Sequence, residues 1–173
     1  NWVIQMAKYN NLHVITRANN KTLIQKYLPS ALQHRINFYY YDTNDFLKSL
    51  KNKDKGLYLY YFCWQLGIIP IVKRLSKQIS FDYSMHLTMG SIWMPTFLPF
   101  FNIPFIWGPI GGGESVPKSF LTNFPLKNRF LQTLRGIIKY ISYINPFVFI
   151  PSYRAISIIT RTNNTKMFIP LIF

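Results

Sequence analysis

The stretch "IPFIWGPIGGGES", residues 103–115, decides the fold: an apolar run, IPFIWGPI (103–110), passes directly into three consecutive glycines and an acid. A short apolar run of this kind reads as a buried strand. Glycines after a strand mean that the backbone turns tightly or closely approaches another group, because glycine has no Cβ and tolerates positive φ. The outline of a phosphate-binding loop is present, since Gly108, Gly113 and Ser115 fall on the G-x-x-x-x-G-K-[ST] register. The lysine position holds Glu114 instead. A carboxylate there repels the phosphates that lysine neutralises, which excludes the nucleotide-triphosphatase reading. The dinucleotide pattern G-x-G-x-x-G is not met either, because Gly111 and Gly113 would need a third glycine where Val116 stands.

Outward from this strand, helical and extended patterns alternate. NWVIQMAKYN (1–10) reads as the end of an amphipathic helix, LHVITR (12–17) as a strand, NNKTLIQKYL (19–28) as a helix and INFYYYD (36–42) as a strand rich in aromatics. Residues 43–55, with Lys48, Lys51, Lys53 and Lys55, read as a solvated connection. Residues 57–78 predict one long helix, interrupted near Gly67 and Pro70 and closing on Lys73, Arg74 and Lys77, whose charges suit the helix dipole. FDYSMHL (81–87) predicts a strand and GSIWMPTFLPFF (90–101) a helix disturbed by proline. LKNRFLQTLRGIIKYISYI (126–144) predicts a helix with an apolar stripe at Leu131, Leu134, Ile138 and Ile141, and with Arg135 and Lys139 on another face. AISIIT (155–160) is the last strand, and the chain stops in the apolar FIPLIF. Such alternation predicts an α/β fold with a Rossmann-like parallel sheet flanked by helices.

Length and composition set the bounds. A chain of 173 residues with 49% hydrophobic content is one domain by size and can bury a proper core. The formal charge of +15 favours an anionic partner, and the 18% aromatic content suits either a stacking platform or a membrane interface. Cys63 is the only cysteine, which excludes an intrachain disulfide and a cysteine zinc cluster and fits a cytoplasmic setting. No charged segment followed by an apolar one opens the chain, so no signal peptide is read, and the start on Asn1 suggests that residues are missing there. The two longest apolar runs, 57–72 and 92–107, fall short of the roughly 20 residues of a membrane span, the second being broken by Pro95, Pro99 and Pro104. They read as buried or interfacial segments.

In a parallel sheet the loop after a strand lies at the carboxyl edge, where ligands bind. Gly111, Gly112 and Gly113 therefore either line a cleft or form a tight turn with no ligand. His86 ends the 81–87 strand and reaches the same edge, where a histidine can position or deprotonate a hydroxyl; the alternative is a histidine satisfied by backbone partners. His13 and His34 are too dispersed to complete a metal site, and Asp82, at the other end of its strand, reads as structural. Asp42 and Asp45 are three apart and no D-x-D occurs, so a sugar-transfer reading has to be metal-independent. G-x-S-x-G is absent, which disfavours a serine hydrolase.

NWVIQMAKYNNLHVITRANNK, LYLYYFCWQ, FDYSMHLTMGSIWMPTFL, IPFIWGPIGGGESVP and AISIITRTNNT, in this order, resemble the amino-terminal domain of family 4 glycosyltransferases, particularly those of bacterial polysaccharide assembly. The likeness covers nearly the whole chain, and its most specific element is W-G-P-I-G-G-G-E after a histidine-bearing strand. The resemblance implies the GT-B architecture, two Rossmann-like domains across a cleft, and metal-independent, cofactor-free transfer of a sugar from a nucleotide-sugar donor with retention. The acceptor, a saccharide or a lipid-linked one, is received mainly by the amino-terminal domain. It further implies that His86 lies near the reacting sugar as the catalytic residue and that Gly111, Gly112, Gly113 and Glu114 face the same space. Relatives often carry two histidines where this chain has Met85 and His86. The donor-binding carboxy-terminal domain is expected beyond residue 173, so the fragment alone is expected to be inactive.

The basic helix 126–144 suits peripheral contact with an anionic bilayer at the inner face of a cell membrane. Its plainer alternative is a helix packed on the sheet with solvated lysines. A nucleic-acid-binding domain is the rival function class, motivated by charge and aromatics. Against it, the basic residues are spread over the chain and most rings sit in apolar runs, as core residues do. A third reading, an integral membrane fragment, would require detergent for solubility.

Overall fold

A computed structural model describes residues 2–49, 56–87, 89–114, 116–121 and 123–170, apart from the side chains of Lys118, Arg135, Ile138 and Lys139. The chain divides into two compact units, Asn1–Val72 and Lys73–Phe173.

In the first unit, α1 (Trp2–Ala7) leads into β1 (Leu12–Arg17), α2 (Lys21–Tyr27) and β2 (Ile36–Tyr41). The strands pair in parallel from Leu12 opposite Ile36 to Arg17 opposite Tyr41. Both are rich in β-branched and aromatic residues, which pack well on a pleated surface. The short α3 (Asp45–Ser49) follows where a solvated connection was expected, and Lys48 there bridges Asp45 at 3.1 Å and Asp42 at 3.9 Å. Lys51, Lys53 and Lys55 of that expected connection lie outside the described residues.

Helix α4 (Leu57–Gln78) occupies the full span that its sequence predicts. Its buried residues, Tyr60, Tyr61, Trp64, Gln65, Ile68, Val72 and Leu75, recur every three or four positions and form one stripe, while Tyr58, Leu59 and Leu66 face outward. The helix passes unbroken through Gly67 and Pro70. Gly67 has a packing role: a Cβ there would stand 1.9 Å from the Tyr41 hydroxyl oxygen. No helix among the described residues is long and apolar enough to cross a membrane.

The second unit is built on three parallel strands in the order β3 (Ser84–His86), β4 (Phe105–Ile110) and β5 (Ala155–Thr160). Central β4 is the most buried, and its Phe105, Trp107 and Ile110 form a core with Ile92, Val148 and Ile169. Each such side chain contributes about 1.5–3 kcal/mol relative to exposure. Strand β3 is shorter than 81–87 because pairing begins at Ser84 opposite Phe105; the preceding Pro104 has no N–H to extend the ladder. Residues 90–101 do not form the expected helix. Pro95 and Pro99, four apart, remove donors and crowd a helical turn, and only a 3-10 turn at Leu98–Phe100 forms.

After β4 come α5 (Lys118–Leu121), α6 (Leu126–Lys139), α7 (Pro146–Arg154) and, beyond β5, α8 (Asn163–Lys166). Helix α6 ends five residues before the expected Ile144, tightening into a 3-10 turn at Tyr140–Tyr143. Helix α7 starts on a capping signal, Asn145 accepting from the Phe147 N–H with Pro146 at the first position. The architecture is therefore α/β, with parallel sheets and helices around them, compatible with a Rossmann-like fold.

Candidate functional site

The candidate site lies at the carboxyl edge of the three-stranded sheet. His86 closes β3 opposite Trp107 of β4, and β4 continues to Ile110 before handing over to Gly111. Because the strands are parallel, both lead to the same edge. At the rise of a parallel strand, the four residues from Trp107 to Gly111 span about 13 Å. The chain beyond β3 closes this interval. The Gly111 N–H donates to the Gly90 carbonyl at 2.6 Å, the Ile92 N–H donates to the Gly111 carbonyl at 2.9 Å, and Ser91 bridges Gly111 in parallel. Residues 90–92 thus flank the glycine loop as β3 flanks β4.

Two of the three glycines have structural reasons to be glycine. Gly112 has φ +102°, in the left-handed region that L side chains rarely adopt. Gly113 is buried, and a Cβ there would lie 2.4 Å from the Thr165 Cα and 2.8 Å from the Asn164 carbonyl oxygen. At Gly111 a Cβ would stand 2.9 Å from Glu114 Oε1 and 3.2 Å from Arg161 Cδ. The loop is pressed against the turn that joins β5 to α8, and the Arg161 N–H donates to the Ile110 carbonyl at 2.8 Å.

Glu114 folds back over this loop. Its Oε2 accepts from the Gly112 N–H at 2.7 Å, and its Oε1 accepts from the Thr165 hydroxyl at 3.4 Å. Its own backbone N–H is the main influence holding the carboxyl below the ordinary carboxylate range; the Gly112 N–H, the Thr165 hydroxyl and the Arg161 charge act the same way and outweigh desolvation. Buried Thr165 also accepts from the Gly113 N–H at 3.3 Å and lies 3.0 Å from the Thr162 hydroxyl, which caps α8 by accepting from the Thr165 N–H. The loop and the β5–α8 turn are one hydrogen-bonded structure.

Gly111, Gly112, Gly113 and Glu114 are thus brought together, with His86 on the same edge and half-buried. Ser115 lies outside the described residues. Arg161 and Thr165 were not singled out by the sequence reading, although T-x-x-T at 162–165 is a readable helix-capping pattern. Elsewhere, His13 stacks on Tyr39 with a ring nitrogen 3.0 Å from its hydroxyl, and Asp42 accepts from the Tyr60 hydroxyl at 2.8 Å. Asp82 is exposed just before β3.

Aromatic residues are less buried than their apolar runs imply. Tyr60, Tyr61, Trp64, Phe105 and Trp107 are core, but Tyr27, Phe100, Phe130, Tyr140 and Tyr153 are among many that face outward.

The edge carries a carboxylate kept ionised, able only to accept hydrogen bonds, next to a cation and beyond the end of a histidine-bearing strand. Such a set suits a hydroxyl-rich ligand better than a phosphate. No family model matches the chain, and neither the curated proteins nor the solved structures yield a match.

Proposed function

We propose that this chain is the acceptor-side domain of a GT-B glycosyltransferase, taking part in metal-independent, retaining transfer of a sugar from a nucleotide-sugar donor to a saccharide or lipid-linked acceptor. The observation that carries the reading is that His86 and the W-G-P-I-G-G-G-E loop lie on adjacent parallel strands leading to one carboxyl edge. In this reading His86 exchanges a proton with a sugar hydroxyl. Glu114 accepts hydrogen bonds from the acceptor, and Gly112, the one of the three glycines that is not buried, lets it approach the backbone. The resemblance of the ordered motifs to family 4 glycosyltransferases supplies the reaction class.

Calorimetric titration of the purified 173-residue chain with saccharide acceptors and with nucleotide sugars tests this. The expected result is weak saccharide binding, no nucleotide-sugar binding and no turnover. Robust transfer by this chain alone would contradict the half-enzyme reading. Nucleotide binding without saccharide binding would contradict the acceptor role.

Nucleic-acid binding remains a second reading on one observation: in the first unit, Lys26 lies over the Tyr27 ring at 5.3 Å and Lys21 over the Tyr40 ring at 5.8 Å, interleaving cations and rings. Salt-sensitive RNA binding that Lys21→Ala/Lys26→Ala weakens would favour it.

A further inference from the structure

The carboxyl end of β1 and β2, in the first unit, carries buried polar atoms that the fold leaves without partners. Arg17 closes β1 opposite Tyr41 of β2, so the two side chains share a face of the sheet. Tyr41 marks that face as the one α4 covers: its hydroxyl stands where a Cβ at Gly67 would be, and its carbonyl accepts from the Trp64 indole at 3.1 Å. Arg17 therefore turns toward α4, and its guanidinium lies 5.5 Å from the centre of the Tyr60 ring. Its Nε is buried with no hydrogen-bond partner among the described residues, and it joins no ion pair there. Thr43, just beyond the end of β2, is only 6% exposed, and its Oγ1 is likewise unpartnered among the described residues. That hydroxyl lies beside the Tyr60 hydroxyl without an aligned bond to it. Leaving such groups unsatisfied costs stability, and native folds rarely do so without a reason.

The neighbouring groups are engaged, with one exception. The Tyr60 hydroxyl donates to Asp42 Oδ1 at 2.8 Å, and the Thr43 N–H donates to the same oxygen at 3.2 Å. Burial, and then the bond to Asp42, push the tyrosine upward against the opposing Arg17 charge, which keeps it a neutral donor. Asp42 Oδ2 has only Lys48 among the described residues, 3.9 Å away and shared with Asp45. A cationic fork, a hydroxyl and one carboxylate oxygen are thus left to recognise a ligand. A guanidinium presents Nε and the adjacent Nη as parallel donors, which match the two oxygens of a planar carboxylate. The Asp42 charge disfavours a phosphate dianion and is satisfied instead by a donor, a hydroxyl on the same ligand. We propose that Arg17, Thr43 and Asp42 form a binding site for a small hydroxycarboxylate, its carboxylate on Arg17 and Thr43 and its hydroxyl on Asp42. The site shares no residue with the glycine loop or His86, and binding is read without turnover, so this proposal and the sugar-transfer reading can fail independently.

Chemical-shift titration of the chain with glucuronate, glucose, acetate and inorganic phosphate tests it, the Arg17 Nε–H signal reporting on the site directly. Glucuronate should move that signal and the Thr43 amide. Acetate, which lacks the hydroxyl, should bind about fivefold more weakly, and glucose and phosphate at least about tenfold. Arg17→Gln should weaken glucuronate binding at least about tenfold and Thr43→Val about fivefold. Thr43→Val should do so at a melting temperature no lower than the parent's, because the hydroxyl it removes has no partner in the free chain; a merely structural threonine would lower it. The proposal is overturned if glucuronate leaves the Arg17 signal in place, if glucose or phosphate binds as tightly, or if neither variant weakens binding. Loss of stability in Thr43→Val with binding intact overturns it too.

Discussion

The glycine loop and helix α6 belong to the same unit, with the short α5 between them in sequence, yet they are held in opposite ways. Around Gly111–Gly113 the backbone is fixed from several sides, by Gly90 and Ile92 on one flank and by Thr165 and Arg161 on the other. Along α6 the largest side chains touch little, and a Cβ added at Gly136 would meet nothing within 4 Å. Substitutions at Gly113 and Thr165 should therefore lower stability, whereas substitutions on the exposed face of α6 should leave it nearly unchanged.

That contrast can be broken by four variants. Gly113→Ala should have the largest effect, because the new Cβ meets backbone atoms that cannot swing aside; a loss of about 3 kcal/mol is expected in chemical denaturation. Thr165→Val comes next. It removes the partner of the Gly113 N–H, of Glu114 and of Thr162 within a buried site, which should cost about 1–2 kcal/mol. Glu114→Gln should cost less, and with a definite pH dependence. The carboxyl titrates lower in the folded chain than unfolded, so its contribution is present above the unfolded value of about 4.3 and is lost as pH falls through the native value. The melting temperatures of Glu114→Gln and the parent should differ at pH 7 and converge in acid. Smallest of all, Phe130→Ser/Ile137→Ser should change stability by no more than about 0.5 kcal/mol. If it unfolds the chain instead, α6 packs as core and the contrast fails.

The sequence announced most of the framework because its runs were unambiguous. LHVITR, AISIIT and the helix at 57–78 carry clean periodicity bounded by polar residues, and they fold where they read. The 90–101 stretch misled because its apolar residues have helical density, while Pro95 and Pro99 forbid the hydrogen bonds that density would need. Helix α7 was passed over although Asn145 and Pro146 mark its start. At the site, the glycines and Glu114 were visible as a string, but their neighbours were not. Thr165 and Arg161 reach the loop only through the return of β5 beside β4, a long-range pairing that no local pattern encodes. The α6 stripe was legible in outline; Leu131, Leu134 and Ile141 are all exposed, and periodicity alone does not tell a core-facing stripe from an open one. Ile138 of that stripe and the basic pair Arg135 and Lys139 lie outside the described side chains.

The central claim is that the edge bearing His86 and the glycine loop receives a saccharide. The most direct measurement is an amide chemical-shift map of the chain titrated with acceptor oligosaccharides. Shifts concentrated at His86, Gly111–Gly113, Glu114 and Arg161, and lost in His86→Ala, are what this account predicts. Shifts confined to β1, β2 and α2, or none at saccharide concentrations that saturate weak sites, would contradict it.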